Sequence, residues 1–287
     1  MPPATPPPIF APTLSAHGVE MPAIGYGTML FPEPERAAGL VAHAIACGYR
    51  HIDTARKYGS EQWVGEGIRA SGIARDALFV TTKVTEEDAR ADDFARSVDT
   101  SLKTLGLDHV DLLLIHWPQP NVPLAETLGA LAKAKRDGLA RHIGVSNFTV
   151  PLLDEAVAVC PEPLVANQIE YHAYIRQDKL IAACRRHGLI VACHVPLARG
   201  QVLADPVIME IAAAHGRTAA QVALRWLVQQ PQVAVVPRAL EFHEIEENIA
   251  LFDFELSDAE MARIGALRDR NIRVVDPEVR RPVWDEG

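Results

Sequence analysis

"HVDLLLIHW", residues 109 to 117, carries Leu112, Leu113, Leu114 and Ile115 without a polar break. It is too apolar to be a strand with one wet face. A strand buried on both faces belongs to a parallel sheet covered by helices. The flanks agree. "ADDFARSVDTSLKTLG" (91–106) has the spacing of an amphipathic helix that stops at Gly106. "PLAETLGALAKAKRDG" (123–138) predicts a second helix.

The alternation continues in both directions. Upstream, "PERAAGLVAHAIACG" (34–48) predicts a helix with Pro34 near its start and Gly48 as its stop. "YRHIDT", "EQWVGEGIRAS" and "ALFVTTKV" follow as strand, helix and strand. Downstream, strands at "ARHIGVS", "PLVANQIEY", "LIVACHVPL" and "QVAVVPR" alternate with helices at "TVPLLDEAVAVC", "RQDKLIAACRRHG", the pair "DPVIMEIAAAHG" and "TAAQVALRWLVQQ", and "LEFHEIEENIALF". A hairpin turning at His17-Gly18 precedes the strand Ala23 to Gly27, and "SDAEMARIGAL" adds a C-terminal helix. Eight β–α units in about 240 residues predict a closed (β/α)8 TIM barrel, an α/β fold with an N-terminal β-hairpin and extra C-terminal helices. The proline-rich residues 1–10 are expected to be a flexible arm, and 11–287 a single domain.

Bulk properties narrow the function. The chain has 287 residues, 48% of them apolar and 23% charged, enough for a large core. A net charge of −9 with no basic run argues against nucleic acid. Cys47, Cys160, Cys184 and Cys193 show no CxxC spacing, so reduced thiols, a cytoplasmic location and no metal are expected. No stretch is long and apolar enough to span a bilayer. The N-terminus lacks the pattern of a signal peptide. The chain is expected to be monomeric.

In such barrels the chemistry sits at the carboxyl ends of the strands. Those ends carry Asp53, Lys83, His116, Ser146 with Asn147, Gln168, His194 and Arg238 in successive units. Two tempting motifs fail. "GEGIRA" (65–70) matches a dinucleotide fingerprint, but its glycines lie inside a helix, not in a strand-to-helix turn. "GVSNF" (144–148) begins like a nucleophile elbow, yet Phe148 replaces the last glycine.

Singly, Asp53 could cap a loop, Tyr58 pack a rim, Lys83 end a strand and His116 fill a wall. Together, on three successive strands, they suit catalysis better. A buried lysine needs a carboxylate nearby, and Asp53 is the only acid in position. A lysine ammonium beside the Tyr58 phenol is expected to lower its pKa from about 10. Tyr58 could then protonate a carbonyl oxygen that His116 orients. Side chains cannot supply hydride, so a nicotinamide is implied.

The segments "GYGT", "HIDTARKYGSE", "VTTKV", "DLLLIHWP", "GVSNF", "NQIEYH", "VPLARG" and "VVPRALEFHEIEENI" occur in the order seen in the aldo-keto reductases, and the chain resembles that family from Gly25 to Asn248. Its tail "NIRVVDPEVRRPVWD" is similar to the bacterial branch that includes 2,5-diketo-D-gluconate reductases. The resemblance implies an NAD(P)H-dependent reductase of aldehydes or ketones, keto-sugar acids or small dicarbonyls among them, using NADPH, NADH or both. It implies Tyr58 as general acid, Lys83 and Asp53 as its tuning pair, and His116 as substrate orienter. Ser146, Asn147 and Gln168 would hold the nicotinamide carboxamide. Pro196, Leu197, Ala198 and Gly200 would cover the pyrophosphate. Thr28, His194, Arg238, Glu244, Glu247 and Asn248 complete the cofactor set, and Met29 and Trp117 line the substrate pocket.

Three departures stand out. His194 takes the place of a stacking tyrosine, with a pH-dependent charge. Arg238 replaces a lysine, and Glu244 replaces an arginine that clasps the 2′-phosphate. Glu244 would repel phosphate or accept hydrogen bonds from a ribose diol, or else point to solvent, so NADH is expected to serve well. Met29 replaces an aromatic. Trp284 and Arg273 either reach the mouth or pin the tail. Two rivals remain: a barrel aldolase forming a Schiff base on Lys83, and an NAD(P)H-binding redox-sensing module without turnover. Asp53 argues against the first, because a paired lysine stays protonated.

Overall fold

The computed structural model describes residues 11–29, 31 and 34–285. The proline-rich segment 1–10 lies outside them. An antiparallel hairpin, β1 (Thr13–Ala16) and β2 (Val19–Pro22), comes first. Its turn places His17 and Gly18 at φ 43° and 86°. Positive φ at both central residues is the type I′ geometry whose twist matches the flanking strands, and Gly18 adopts it without a Cβ clash.

Eight parallel strands follow: β3 (Tyr26–Gly27), β4 (His51–Asp53), β5 (Phe79–Val84), β6 (Val110–Ile115), β7 (Ala140–Ser146), β8 (Leu164–Glu170), β9 (Ile190–His194) and β10 (Val233–Val235). They pair in sequence order, and bridges Ile24–Val235 and Gly27–Arg238 join the last strand to the first. The sheet is therefore closed. The helices between and after the strands are α1 (Pro34–Ala46), α2 (Glu61–Ser71), α3 (Ala91–Leu105), α4 (Leu124–Arg136), α5 (Val150–Val159), α6 (Asp178–Arg186), the pair α7 (Pro206–His215) and α8 (Ala219–Val228), α9 (Phe242–Ile249) and α10 (Asp258–Ala266).

β6 shows why no face is wet. Leu112 and Leu114 join the barrel interior with Ala166, Ala192 and Ala234. Val110, Leu113 and Ile115 join the layer between sheet and helices. Each such side chain contributes about 1.5–3 kcal/mol by leaving water. Val19 and Met21 of the hairpin belong to the interior cluster. Hydrogen bonds from His17 to His187 O and from Gln232 to Ser15 O fasten the hairpin near the starts of β9 and β10. The hairpin closes the floor, which leaves the opposite, carboxyl end as the mouth.

The rejected glycine motif has a packing role. A Cβ at Gly65 would lie 2.1 Å from Leu105 O. The glycine lets α2 meet the end of α3.

Candidate active site

The chain leaves β4 at Asp53 and makes one 3₁₀ turn, Arg56–Tyr58, before α2. That turn sets Tyr58 above the strand ends. Asp53 pairs with Thr81 in the sheet, so Lys83 lies two residues further along β5. Its fully buried side chain reaches back to Asp53, with Nζ 2.6 Å from Oδ1. The ammonium also donates to Thr54 O at 2.8 Å and to the Tyr58 hydroxyl at 3.5 Å. Three donors thus have three acceptors. Thr28 fixes the Asp53 backbone: its N–H and its hydroxyl each donate to Asp53 O at 3.0 Å.

Burial disfavours the lysine cation, but Asp53 and then Tyr58 outweigh it, and the ammonium is held above its ordinary pKa. A lysine so held is a poor Schiff-base nucleophile. Tyr58 corrects the expectation drawn from its neighbour. Burial raises its phenol above the usual value by more than Lys83 lowers it. The proton stays on the phenol at neutral pH, and the ammonium stabilises the phenolate only as the proton leaves.

The His116 ring meets the Tyr58 ring edge-on, with centroids 5.6 Å apart. Burial, then Lys83 and His194, hold its imidazole well below the usual histidine range. It is neutral near pH 7, and among the described residues Nδ1 has no hydrogen-bond partner.

Gln168, on β8, was expected only as a carboxamide partner. It also donates from Nε2 to Asp53 Oδ2 at 2.8 Å, which leaves Oε1 free to accept. Ser146 donates to Gln168 O at 2.9 Å, so its hydroxyl is an internal strut, not a nucleophile. Asn147, at φ 62°, donates to His116 O at 3.0 Å and to Ser146 Oγ at 3.1 Å. His194 Nε2 lies 2.9 Å from Asn147 Oδ1. Burial pushes the His194 imidazole down to about 4, so the charge foreseen for it is absent at neutral pH.

The loop after β9 turns through Leu197 at φ −101° and ψ 14°, then Ala198, Arg199 and Gly200 at φ 49°, 54° and 88°. A right-handed residue followed by a left-handed one is the backbone form of an anion-binding nest. Val195 also sits at positive φ, 51°, unusual for a β-branched residue. Pro196 is buried beside it. Arg238, just past β10, donates to Met29 O at 3.2 Å. The amides of Gln168 and Asn147, the nest and the Arg238 cation together fit a dinucleotide. Asn248 is buried, and the Glu247 carbonyl accepts from Gln221.

Glu244 is exposed at the start of α9, and its carboxylate is engaged there. Its Oε2 accepts the N–H of Leu240 at 3.0 Å and of Glu241 at 3.2 Å, completing a capping box at the start of α9. Lys57, next to Tyr58 in the chain, pairs instead with Glu86 at 3.1 Å and with Glu87. Glu61 does open α2, but it is buried and accepts from Thr82 at 2.6 Å.

The C-terminal tail forms part of the mouth. Buried Trp117 meets Trp284 edge-on at 6.1 Å, and Arg280 stands over the Trp117 ring at 5.4 Å while pairing with Glu86 at 3.0 Å. Arg273 lies over Trp284 at 3.7 Å. Both alternatives hold, because the same residues that reach the mouth also pin the tail. Glu170, at the end of β8, grips that tail through the N–H groups of Val274 and Val275 at 2.6 and 2.9 Å. Glu170 went unnoticed in the sequence. An acid closing a strand at the mouth was the available signal.

A closed (β/α)8 barrel with a buried lysine–aspartate pair under a tyrosine, and a mouth fitted to a dinucleotide, defines a carbonyl oxidoreductase. The chain belongs to the aldo/keto reductase family, whose model matches residues 23–269. It is 43% identical to morphine 6-dehydrogenase of Pseudomonas putida, over 90% of this chain and 91% of that one. A crystal structure assigned to a 2,5-diketo-D-gluconic acid reductase B superposes with a TM-score of 0.93 at 44% identity, covering 96% of this chain and 98% of that one. The Bombyx mori aldo-keto reductase solved in complex with NADP superposes with a TM-score of 0.88 at 34% identity, covering 93% and 96%. The protein is an NAD(P)H-dependent oxidoreductase of carbonyl compounds, and neither the aldolase nor the redox-sensor reading finds support. Among the described residues, no helix is long and apolar enough to cross a membrane.

Proposed function

We propose that Tyr58 donates the proton in carbonyl reduction, that Lys83 and Asp53 set its acidity, and that His116 orients the substrate oxygen. The observation that carries this reading is the continuous contact from Gln168 through Asp53 and Lys83 to the Tyr58 hydroxyl. Reduced nicotinamide, when bound, is the source of hydride. Ser146, Asn147 and Gln168 would hold its carboxamide, Pro196 to Gly200 its pyrophosphate, and Arg238, Glu247 and Asn248 its adenosine end, with Thr28 and His194 beside the ring. As negative charge grows on the carbonyl oxygen, Tyr58 releases its proton there. The phenolate left behind is stabilised by Lys83 at no reorganisation cost, because Asp53 and Thr54 already fix the ammonium. A neutral His116 can donate one N–H to the same oxygen without competing as an acid.

The substrates we assign are small dicarbonyls and keto-sugar acids. Trp117, Trp284 and Met29 give an apolar wall, and the Arg280 guanidinium stands 5.4 Å over the Trp117 ring at its edge. That pairing suits a short carbon chain ending in a carboxylate or a second carbonyl. The working unit is a cytoplasmic monomer, one domain over 11–287 with 1–10 as an arm. NADPH consumption with methylglyoxal, keto-sugar acids and aromatic aldehydes tests the substrate assignment. The highest kcat/KM belongs to the first two classes; an aromatic aldehyde leading by tenfold would overturn it.

A further inference from the structure

Away from the residues of the mouth, one cluster has no role in carbonyl reduction. His43 and Cys47 are four residues apart on the last turns of α1 and just beyond it, so they share a face. α9 places Glu246 against them. His43 Nε2 lies 3.0 Å from Glu246 Oε1 and 3.3 Å from Cys47 Sγ. Among the described residues, this is the only group of three or more His, Cys, Asp or Glu whose ligand atoms all lie within 4.8 Å of one another. Cys47 is buried, while the side chains of His43 and Glu246 are 28% and 49% exposed.

We propose that His43, Cys47 and Glu246 form a zinc(II) site that fastens α1 to α9, with water as the fourth ligand. The spacing is that of a nearly assembled site. Tetrahedral zinc with N and O ligands at about 2.0 Å and S at about 2.3 Å separates N from O by about 3.3 Å and N from S by about 3.5 Å. The two edges from His43 Nε2 are a few tenths of an ångström shorter, and the third, from Cys47 Sγ to the Glu246 carboxylate, is within 4.8 Å, so small side-chain adjustments bring the three onto one ion. Thiolate, imidazole and carboxylate together select zinc over magnesium or calcium, which prefer all-oxygen sites.

The charges balance as well. Thiolate and carboxylate together neutralise a divalent cation. Without metal, burial and then Glu246 push the Cys47 thiol up to about 11, so the site holds a thiol and not a thiolate at neutral pH. Zinc binding forms the Zn–S bond and sends that proton to solvent, so affinity rises with pH. The two helices are already held together at their ends, where Tyr49, just past α1, donates to Ile245 O at 3.2 Å and Arg36 of α1 pairs with Glu241, the N-cap of α9, at 3.0 Å. The metal adds a third tie to a preformed contact. It also departs from the metal-free reading of the four cysteines.

The test uses the full chain, stripped with a chelator and titrated with zinc chloride by calorimetry, with cobalt(II) as a spectroscopic probe. The expected result is one zinc per chain, a raised Tm, and a thiolate-to-cobalt charge-transfer band. His43→Gln and Glu246→Gln, at partly exposed positions, each weaken zinc binding tenfold or more, and Cys47→Ala abolishes the band. If Cys47→Ala does not fold, the other two variants decide. No thiolate band in the wild type, or affinity unchanged in both His43→Gln and Glu246→Gln, overturns the site.

Discussion

Gln168 Nε2 donates to Asp53 Oδ2 at 2.8 Å, while Lys83 Nζ holds Oδ1 of the same carboxylate at 2.6 Å. Asp53 is thereby gripped from both sides across the barrel mouth. Neither partner is its neighbour in the chain. Lys83→Met removes one grip and leaves a buried carboxylate short of a cation. We expect it to cost about 3–5 kcal/mol in urea unfolding. Adding Asp53→Asn to that variant removes the stranded charge and recovers part of the loss. A double-mutant cycle that comes out additive to within about 0.5 kcal/mol would mean the two residues do not act as a pair.

His51 gives a stability prediction separate from turnover. It is buried at the start of β4, with Nε2 2.9 Å from Thr81 Oγ1, and among the described residues Nδ1 has no partner. Burial lowers its pKa to about 4. The unfolded value is near 6.5. Between the two, the unfolded chain binds a proton that the native chain refuses, so stability rises with pH in that window and is lost as pH falls through it. Only above about pH 7.5 are both states essentially neutral, and there His51 contributes no slope. From pH 7 to pH 5 the loss due to this residue is roughly 2 kcal/mol. His51→Gln should flatten the urea midpoint over that range. His194 and His116 act in the same direction and leave a residual slope. An unchanged pH dependence in His51→Gln contradicts the account.

We propose that cofactor choice turns on Arg238 and Glu244. The capping box pins the Glu244 carboxylate at the start of α9, and on the proposed placement of the cofactor its negative charge stays beside the adenosine end. The ratio of kcat/KM for NADPH over NADH should stay below roughly a hundredfold. Glu244→Gln keeps an oxygen for the cap and removes the charge, and should raise the ratio about tenfold. A wild-type preference of several hundred-fold for NADPH would rule out the proposed role of Glu244.

Much of the barrel was legible because its signals are local. α2 spans the Glu61–Ser71 that periodicity predicts, and α3 ends at Leu105, one residue before Gly106. Strand starts were less legible. β5 begins at Phe79 and not at Ala77, because Arg75–Ala77 forms a 3₁₀ turn. Arg75 holds that turn by pairing with Asp111 at 2.7 Å, a contact spacing cannot reveal. The cluster of Asp53, Tyr58, Lys83 and His116 was legible as polar groups at or just beyond strand ends, and the structure brings the four together. The Gln168–Asp53 bond and the Glu170 grip on the tail were not, since each needs side-chain direction across the barrel. The Tyr58 pKa was misjudged for a related reason. A neighbouring cation can be read from sequence order, but the depth of burial that outweighs it cannot.

We propose that Tyr58 supplies the proton and does not hold the cofactor. Tyr58→Phe removes only the hydroxyl, which faces Lys83 at 3.5 Å. The decisive measurement is turnover of a good aldehyde substrate by this variant, with its NADPH dissociation constant measured on the same preparation. The account predicts a dissociation constant within about twofold of wild type and a kcat lower by about 10²–10⁴. Near wild-type turnover, with cofactor binding intact, would contradict it.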